Sequence, residues 1–402
     1  MHGAALATAA IRTISTRRHP RSPSLISRPA MENIERGAAA LTRLLTPVQA
    51  LATSGARAVE TFELEGRLHV AIPQLALDIP GQAAAMNGGD SNTNTLIFRW
   101  DTDRFVACDA LPVPGGEDAE FFTLGARRFL ATCGVRSGRG PYSLDVEAVL
   151  YEHDGARWQR FQIFDVFAAK QWRFFTLGER HFLALAQGVT VEGTVPRHPR
   201  ESRLYEWDGA RFVPFQTFDG RGGYNWAFAS AGARHFLAYA DHVDGSQIHR
   251  WHDGRFEPMQ TLAETGGRAF CFFEDAGTLW MVFANLTDTT RLYRFDGTRF
   301  EPVQTLGDAG GRELKLIDGA HGRYLVRVCF ITGTPHDPQT SLMSQIYRWE
   351  HGRFELADAF PTTGGTDAAA FVVNGQRYLL VANSLTAEVR FRADTMLYRF
   401  DG

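Results

Sequence analysis

Seven times along this 402-residue chain an aliphatic residue, an aromatic, a charge and a second ring occur in that order before a polar turn. The tetrads are Ile97-Phe98-Arg99-Trp100, Leu150-Tyr151-Glu152-His153, Leu204-Tyr205-Glu206-Trp207, Ile248-His249-Arg250-Trp251, Leu292-Tyr293-Arg294-Phe295, Ile346-Tyr347-Arg348-Trp349 and Leu397-Tyr398-Arg399-Phe400. Their second residues are 53, 54, 44, 44, 54 and 51 positions apart. A period in this range is that of propeller blades or solenoid units. A chain so constrained is a repeat architecture before it is anything else.

The unit is clearest over 171–218. Gln171–Leu177 reads as a first strand closed by Gly178, and His181–Ala186 as a nearly all-apolar second strand buried on both faces. Leu204–Trp207 is a third, followed by Asp208-Gly209, a tight-hairpin signal. Arg211–Phe218 is the fourth, and its Pro214 suits an edge strand because proline cannot donate to a ladder. Four antiparallel strands per repeat make a propeller blade. The seventh aromatic strand stops at Asp401-Gly402 without a fourth partner. That partner lies at the other end, where Thr46-Pro47-Val48-Gln49-Ala50-Leu51 matches Val213-Pro214-Phe215-Gln216-Thr217-Phe218. The expectation is an all-β, seven-bladed β-propeller over residues 44–402, closed by the N-terminal strand completing the C-terminal blade and leaving no open edge.

With these residues in view, the unit resembles the EAR (EPTP, epilepsy-associated) repeat found in the C-terminal half of leucine-rich glioma-inactivated proteins. Tyr378-Leu379-Leu380-Val381-Ala382-Asn383 and Ile346-Tyr347-Arg348-Trp349 carry the match, which runs over roughly residues 44–402. The resemblance implies a seven-bladed fold, non-enzymatic binding of partner proteins and a metal in the central channel. The acidic pair flanking a first-strand tryptophan in that family is mostly lost, since Gln171-Trp172-Arg173 and Asn225-Trp226-Ala227 keep only the ring. Partner identity therefore does not transfer. Kelch repeats, which also use paired glycines, are the second-best family.

Composition narrows the function further. The net charge is −3 with both signs interspersed, so no global basic surface offers itself to nucleic acid. No run approaches ~18 apolar residues, so no transmembrane helix is expected. Cys108, Cys133, Cys271 and Cys329 have no motif spacing and read as buried free thiols. Residues 1–30 hold arginine and serine but no acid and no apolar h-region. They read as a disordered leader, transit-like in composition, or as an over-called start with Met31 the first residue; 31–43 is a short N-terminal segment.

In an up-and-down blade the loops after strands two and four share one face of the disc. The second-to-third loops at 73–95, 134–148, 187–203, 330–345 and 384–395 are long, whereas those near 241–247 and 286–291 are short. The long ones belong to blades 6, 7, 1, 2 and 3, one continuous arc of a closed ring. Insertions confined to one face point to a binding surface, for which Arg197, His198, Arg200, His336 and Asp337 are the candidate contacts. A protein partner is the expected ligand and a glycan the alternative.

Two columns compete with a ligand reading. Trp100, Trp207, Trp251 and Trp349 could stack on sugars, but recurrence beside the same hairpin fits packing between blades. Gln49, Gln162, Gln216, Gln260 and Gln304, with Asp109 and Asp358 substituting, read as side-chain bonds to the backbone of a neighbouring blade. First strands line the channel, with Glu60, Glu120, Gln171, Asn225, Glu313 and Asp367 as its polar positions. Glu313 and Asp367 on adjacent blades could converge and hold Ca²⁺, a hard cation that favours oxygen; a water-filled polar lining is the preferred reading, with no cofactor. No sialidase box, His-Glu-x-x-His, Gly-x-Ser-x-Gly or phosphate loop occurs. An enzyme would be a glycan-acting hydrolase using channel carboxylates such as Glu313 and Asp367, which would need to lie ~5–9.5 Å apart.

Overall fold

The computed structural model describes residues 43–188 and 201–402. The expectations for residues 1–30 and most of 31–43, and the candidates Arg197, His198 and Arg200, fall outside the described residues.

Blade 4 shows how the sequence builds a sheet. Its strands are Gly223–Ala231, Arg234–Asp241, Ser246–His252 and Arg255–Leu262, hydrogen-bonded in that order. Phe236 to Ala240 of the second strand are all fully buried, as a strand packed on both faces requires. His252 and Arg255 are joined through Asp253 and Gly254, both at positive φ (44° and 84°), the backbone of a two-residue hairpin turn. The equivalent Asp208-Gly209 turn of blade 3 is wider than its sequence suggests. There the Asp208 carboxylate accepts the Ala210 and Arg211 N–H groups, each at 2.8 Å, and the strand resumes only at Phe212.

Seven such four-stranded antiparallel sheets are present among the described residues, with no helix. Six are consecutive in sequence. The seventh takes Leu45–Leu51 as its outermost strand, paired antiparallel with Thr395–Phe400 from Leu45↔Phe400 to Leu51↔Thr395. Ring closure by the opening strand is thus as the sequence pattern expected. Every third-to-fourth strand pair carries a bulge at one register, between Leu204 and Tyr205 in blade 3 and between Ile248 and His249 in blade 4. Pro214 and Pro258 sit beside this bulge on outer strands, where a missing donor costs no ladder bond.

The core lies between sheets. Phe175, Phe182, Leu204 and Phe218 of blade 3 pack in one cluster with Trp226, Leu237, Tyr239 and Phe256 of blade 4. The recurring tryptophans are half-buried and edge-on: Trp100, Trp251 and Trp349 lie 4.8–5.1 Å from Phe105, Phe256 and Phe354 of their own blades. Trp100 also meets Phe371 of the preceding blade. These contacts match the packing reading of the column.

The glutamine column is a set of reciprocal clasps. Gln49, Gln162, Gln216, Gln260 and Gln304 each donate Nε2 to, and accept N–H at Oε1 from, the backbone of Phe105, Phe212, Phe256, Phe300 and Phe354 in the next blade. Asp358 does the same duty with one bond, accepting Leu44 N–H at 2.7 Å. Asp109 does not fill this role: its carboxylate accepts its own neighbour's Ala110 N–H.

The four cysteines are free, and Cys133 and Cys329 are buried. Cys108 is exposed and Cys271 intermediate, contrary to the expectation of uniform burial. Cys108 occupies the extra position of the blade-1 bulge on an outer strand, between Ala107 and Asp109 in the pairing.

Candidate functional site

Two regions qualify, the long-loop face and the channel. On the first, the insertions are built into one another. Asp78 in the blade-1 loop accepts Phe391 N–H from blade 7, and Arg390 donates to Gln82 O at 2.9 Å. On the other side Arg136 of blade 2 donates to Asn87 O and Gly88 O, Tyr142 to Gly89 O, and Arg139 pairs with Asp90 at 2.7 Å. Thr340 of blade 6 donates to Thr386 O of blade 7 at 2.8 Å. Beneath these bonds Leu75, Ala76, Phe330, Ile331, Leu385 and Phe391 form a hydrophobic cluster contributed by loops of blades 1, 6 and 7. Gly89 is required there: its φ is +83°, and a Cβ would stand 2.8 Å from both Leu77 O and the Phe391 ring.

Exposed residues of these loops include the blade-1 tip, 80–85, together with Arg139, Glu388, Arg392 and the tip of blade 6. That last tip is a small hairpin of Thr332–Thr334 against Asp337–Gln339. His336 and Asp337 are both exposed on it, with Asp337 N–H bonded to Thr334 Oγ1. Neither makes a contact that singles it out from its surroundings.

The channel is layered, because each first strand enters from the long-loop face. At the mouth stand Arg57, Glu117, Lys170, Tyr224, Arg268 and Arg312, with Thr366 completing the ring. Sequence reading missed this layer altogether. It is visible only when the residue after each first-strand glycine or alanine is read as a column. Glu117 accepts from Arg57 at 2.8 Å through both oxygens and from Arg312 at 3.0 Å. Arg57, Lys170 and Arg312 hold its carboxyl well below the usual carboxylate range despite burial.

One step deeper, side chains stitch each blade to the next. Asp118 accepts Trp172 N–H at 2.7 Å, Gln171 accepts Trp226 N–H at 2.6 Å, Asn225 accepts Phe270 N–H at 3.1 Å and Asp367 accepts Val59 N–H at 2.8 Å. Deeper still, Glu60 and Glu120 bond Phe121 N–H and Phe174 N–H, with Arg173 salt-bridged to Glu120 at 3.2 Å. The six polar channel positions named from sequence therefore occupy two depths, and most are inter-blade ties.

Glu313 is the exception. Among the described residues it accepts only its neighbour's Leu314 N–H, at 3.0 Å. Burial and then the Asp367 charge push it up to about 8. Glu60 is likewise pushed up to about 8, by burial and then Glu120. Asp367 is raised chiefly by burial, while the Val59 N–H and, from the layer below, Lys315 pull the other way. Glu313 and Asp367 thus share one electrostatic field on adjacent blades. As a calcium site the donor set is thin: both Asp367 oxygens already accept backbone N–H groups, and Ca²⁺ takes about six to eight oxygens. Among the described residues no group of three or more His, Cys, Asp or Glu side chains is arranged to hold a metal.

Comparison with known proteins bears on the repeat. The family model described as the EPTP domain matches residues 45–101 and 211–252, each running from the outer strand of one blade through the first three strands of the next. These matches support the EAR/EPTP repeat propeller family. Two curated relatives share these repeats, both called thrombospondin-type laminin G domain and EAR repeat-containing protein. The human one is 24% identical over 170 residues and the mouse one 29% over 173. Each match covers 42% of this chain and 25% of the relative, so the similarity spans about a quarter of those proteins. A crystal structure of BBS1N in complex with ARL6DN, soaked with mercury, superposes with a TM-score of 0.55 at 9% identity, covering 89% of this chain and 97% of that one. At that identity the likeness is one of fold. The EPTP repeat fits a binding scaffold at coarse level, and no helix among the described residues is long and apolar enough to cross a membrane.

Proposed function

We propose that this propeller is a binding scaffold that engages a partner protein through its long-loop face. The observation that supports this most is the interlocking of the loops of blades 6, 7, 1 and 2 around their own apolar cluster. Loops that merely drift in length have no reason to share a core. A common core holds the tips still, which lowers the ordering cost of binding. The glycan alternative has less behind it, since the tryptophans that would stack on sugars have their faces and edges against phenylalanines. The hydrolase alternative would draw on carboxylates that mostly hold backbone N–H groups of the next blade.

The test replaces the exposed tip 80–85 with a short Gly-Ser turn, leaving Leu75, Ala76 and Gly89 in place so that the loop core survives. Quantitative pull-downs compare this variant with the parent chain and with Arg128→Ala on the opposite face. Partners should be lost with the tip and kept with Arg128→Ala. Equal recovery from all three would refute the assignment of this face.

A further inference from the structure

The mouth of the channel carries an unbalanced charge. Arg57, Lys170, Arg268 and Arg312 bring four cations to one layer, and Glu117 is its single carboxylate. Arg57, Lys170, Arg268 and Arg312 are between 4% and 8% exposed, so none is a side chain resting in bulk water. Glu117 is already engaged by Arg57 and Arg312. Arg268 has no carboxylate partner among the described residues. Its Nη1 donates to His242 Nδ1 at 2.7 Å, and His242 is pushed down to about 3 by burial and the arginine, so it adds no charge of either sign.

Two donors stand out. Arg268 Nε–H and Arg312 Nη1–H are buried and have no hydrogen-bond partner among the described residues. A buried guanidinium donor without a partner leaves its desolvation uncompensated, and such groups call for a water or an ion. The aromatic rings around them orient the guanidiniums without neutralising them. Arg268 lies 3.8 Å from the Tyr224 ring centroid, and Arg312 4.9 Å from that of Phe330. Lys170 also stands against the Tyr224 ring, 5.2 Å from its centroid.

From this layer we infer an anion site at the long-loop mouth of the channel, built by Arg268, Arg312 and Lys170 around Tyr224, for a compact oxyanion of the phosphate or sulfate class. Guanidinium forks match the oxygen spacing of such ions and bind them in pairs of parallel bonds. The channel cavity, about 130 Å³ and lined by this mouth layer together with the acids beneath it, has room for a small ion. The layer sits on the proposed binding face but does not depend on that reading: a free ion or a phosphoryl group borne by a partner satisfies the same donors. Arg268 itself is lowered to about 10, chiefly by burial, and three cations draw Tyr224 down to about 7 against the effect of burial.

The test uses the full chain and sulfate, whose charge is constant across neutral pH. Isothermal titration at fixed ionic strength should give saturable binding with one site per chain, weakened at least tenfold by Arg268→Gln and by Lys170→Met. General salting-out by sulfate would act on parent and variants alike. Inorganic phosphate and phenyl phosphate, titrated in parallel, separate a site sized for the free ion from one that admits a carried phosphoryl group; saturable binding of either supports the site. A second readout is the phenolate absorbance of Tyr224, which should appear at higher pH in sulfate than in chloride. No saturable heat with the parent chain, or affinities unchanged in both variants, would overturn the inference. The positive layer would then be balanced by the acids deeper in the channel.

Discussion

The Gln304 carboxamide and the Phe354 backbone hold each other across a blade boundary, Nε2 to O at 2.7 Å and N to Oε1 at 3.0 Å. Phe354 is 1% exposed, so nothing else can satisfy its peptide group if the glutamine is removed. The same clasp at four other boundaries makes it a property of the ring.

Gln304→Ala should therefore destabilise the protein by about 1–3 kcal/mol, the cost of orphaning a buried N–H and C=O. Asp109→Ala, at the boundary where no clasp forms, should cost far less. Urea melts of the two variants test this, and equal midpoints would contradict it.

The opening strand should matter more than any side chain. A chain starting at Thr42 keeps Leu45–Leu51 and should unfold in one transition. One starting at Thr53 exposes the edge of Thr395–Phe400 and should associate, seen as a shift to larger species in size-exclusion chromatography. A monodisperse truncated chain with an unchanged melt would show that closure is dispensable.

Glu117→Gln should be among the costliest single substitutions, about 3–5 kcal/mol, because Arg57 and Arg312 stay buried without their counter-charge. The acid end of the stability profile follows from the same group. Its native carboxyl titrates below the unfolded one, so its contribution is present above about pH 4.5 and is lost as the pH falls. Wild type and variant should converge at low pH; a constant gap from pH 7 to pH 3 would argue against the assignment.

Glu313 works in the opposite sense. Native Glu313 keeps its proton up to about 8, whereas the unfolded chain releases it near 4.5. Between those values the native state binds more protons, so stability falls as the pH rises. Glu313→Gln has no such loss and should gain on the wild type by more than about 1.4 kcal/mol between pH 5 and pH 8, the equivalent of a tenfold change in proton affinity. Parallel pH profiles would count against a buried Glu313 that feels the Asp367 charge.

Calcium provides a separate check on the Glu313–Asp367 pair. With Lys315 and Arg173 in the same field, the melting temperature should be the same in millimolar calcium and in EDTA. A calcium-dependent rise abolished by Asp367→Asn would instead make this pair a metal site.

Much of this was legible in the chain itself. The two-residue alternation of Leu204-Tyr205-Glu206-Trp207, the proline at 214 and the repeat interval settle strand type, edge position and blade number, because each reflects a local backbone requirement. The match between Thr46–Leu51 and Val213–Phe218 was enough to predict closure, since a strand without a partner is costly wherever it lies. The positions of the long loops could be counted. What those loops do to one another could not: the Asp78–Phe391 and Tyr142–Gly89 bonds join residues with no periodic relation. The mouth layer is harder still. Arg57, Glu117, Lys170, Tyr224, Arg268 and Arg312 are of four residue types and are spread over more than 250 positions. Only ring closure brings them round one axis, and only burial there turns ordinary surface charges into a field that must be answered.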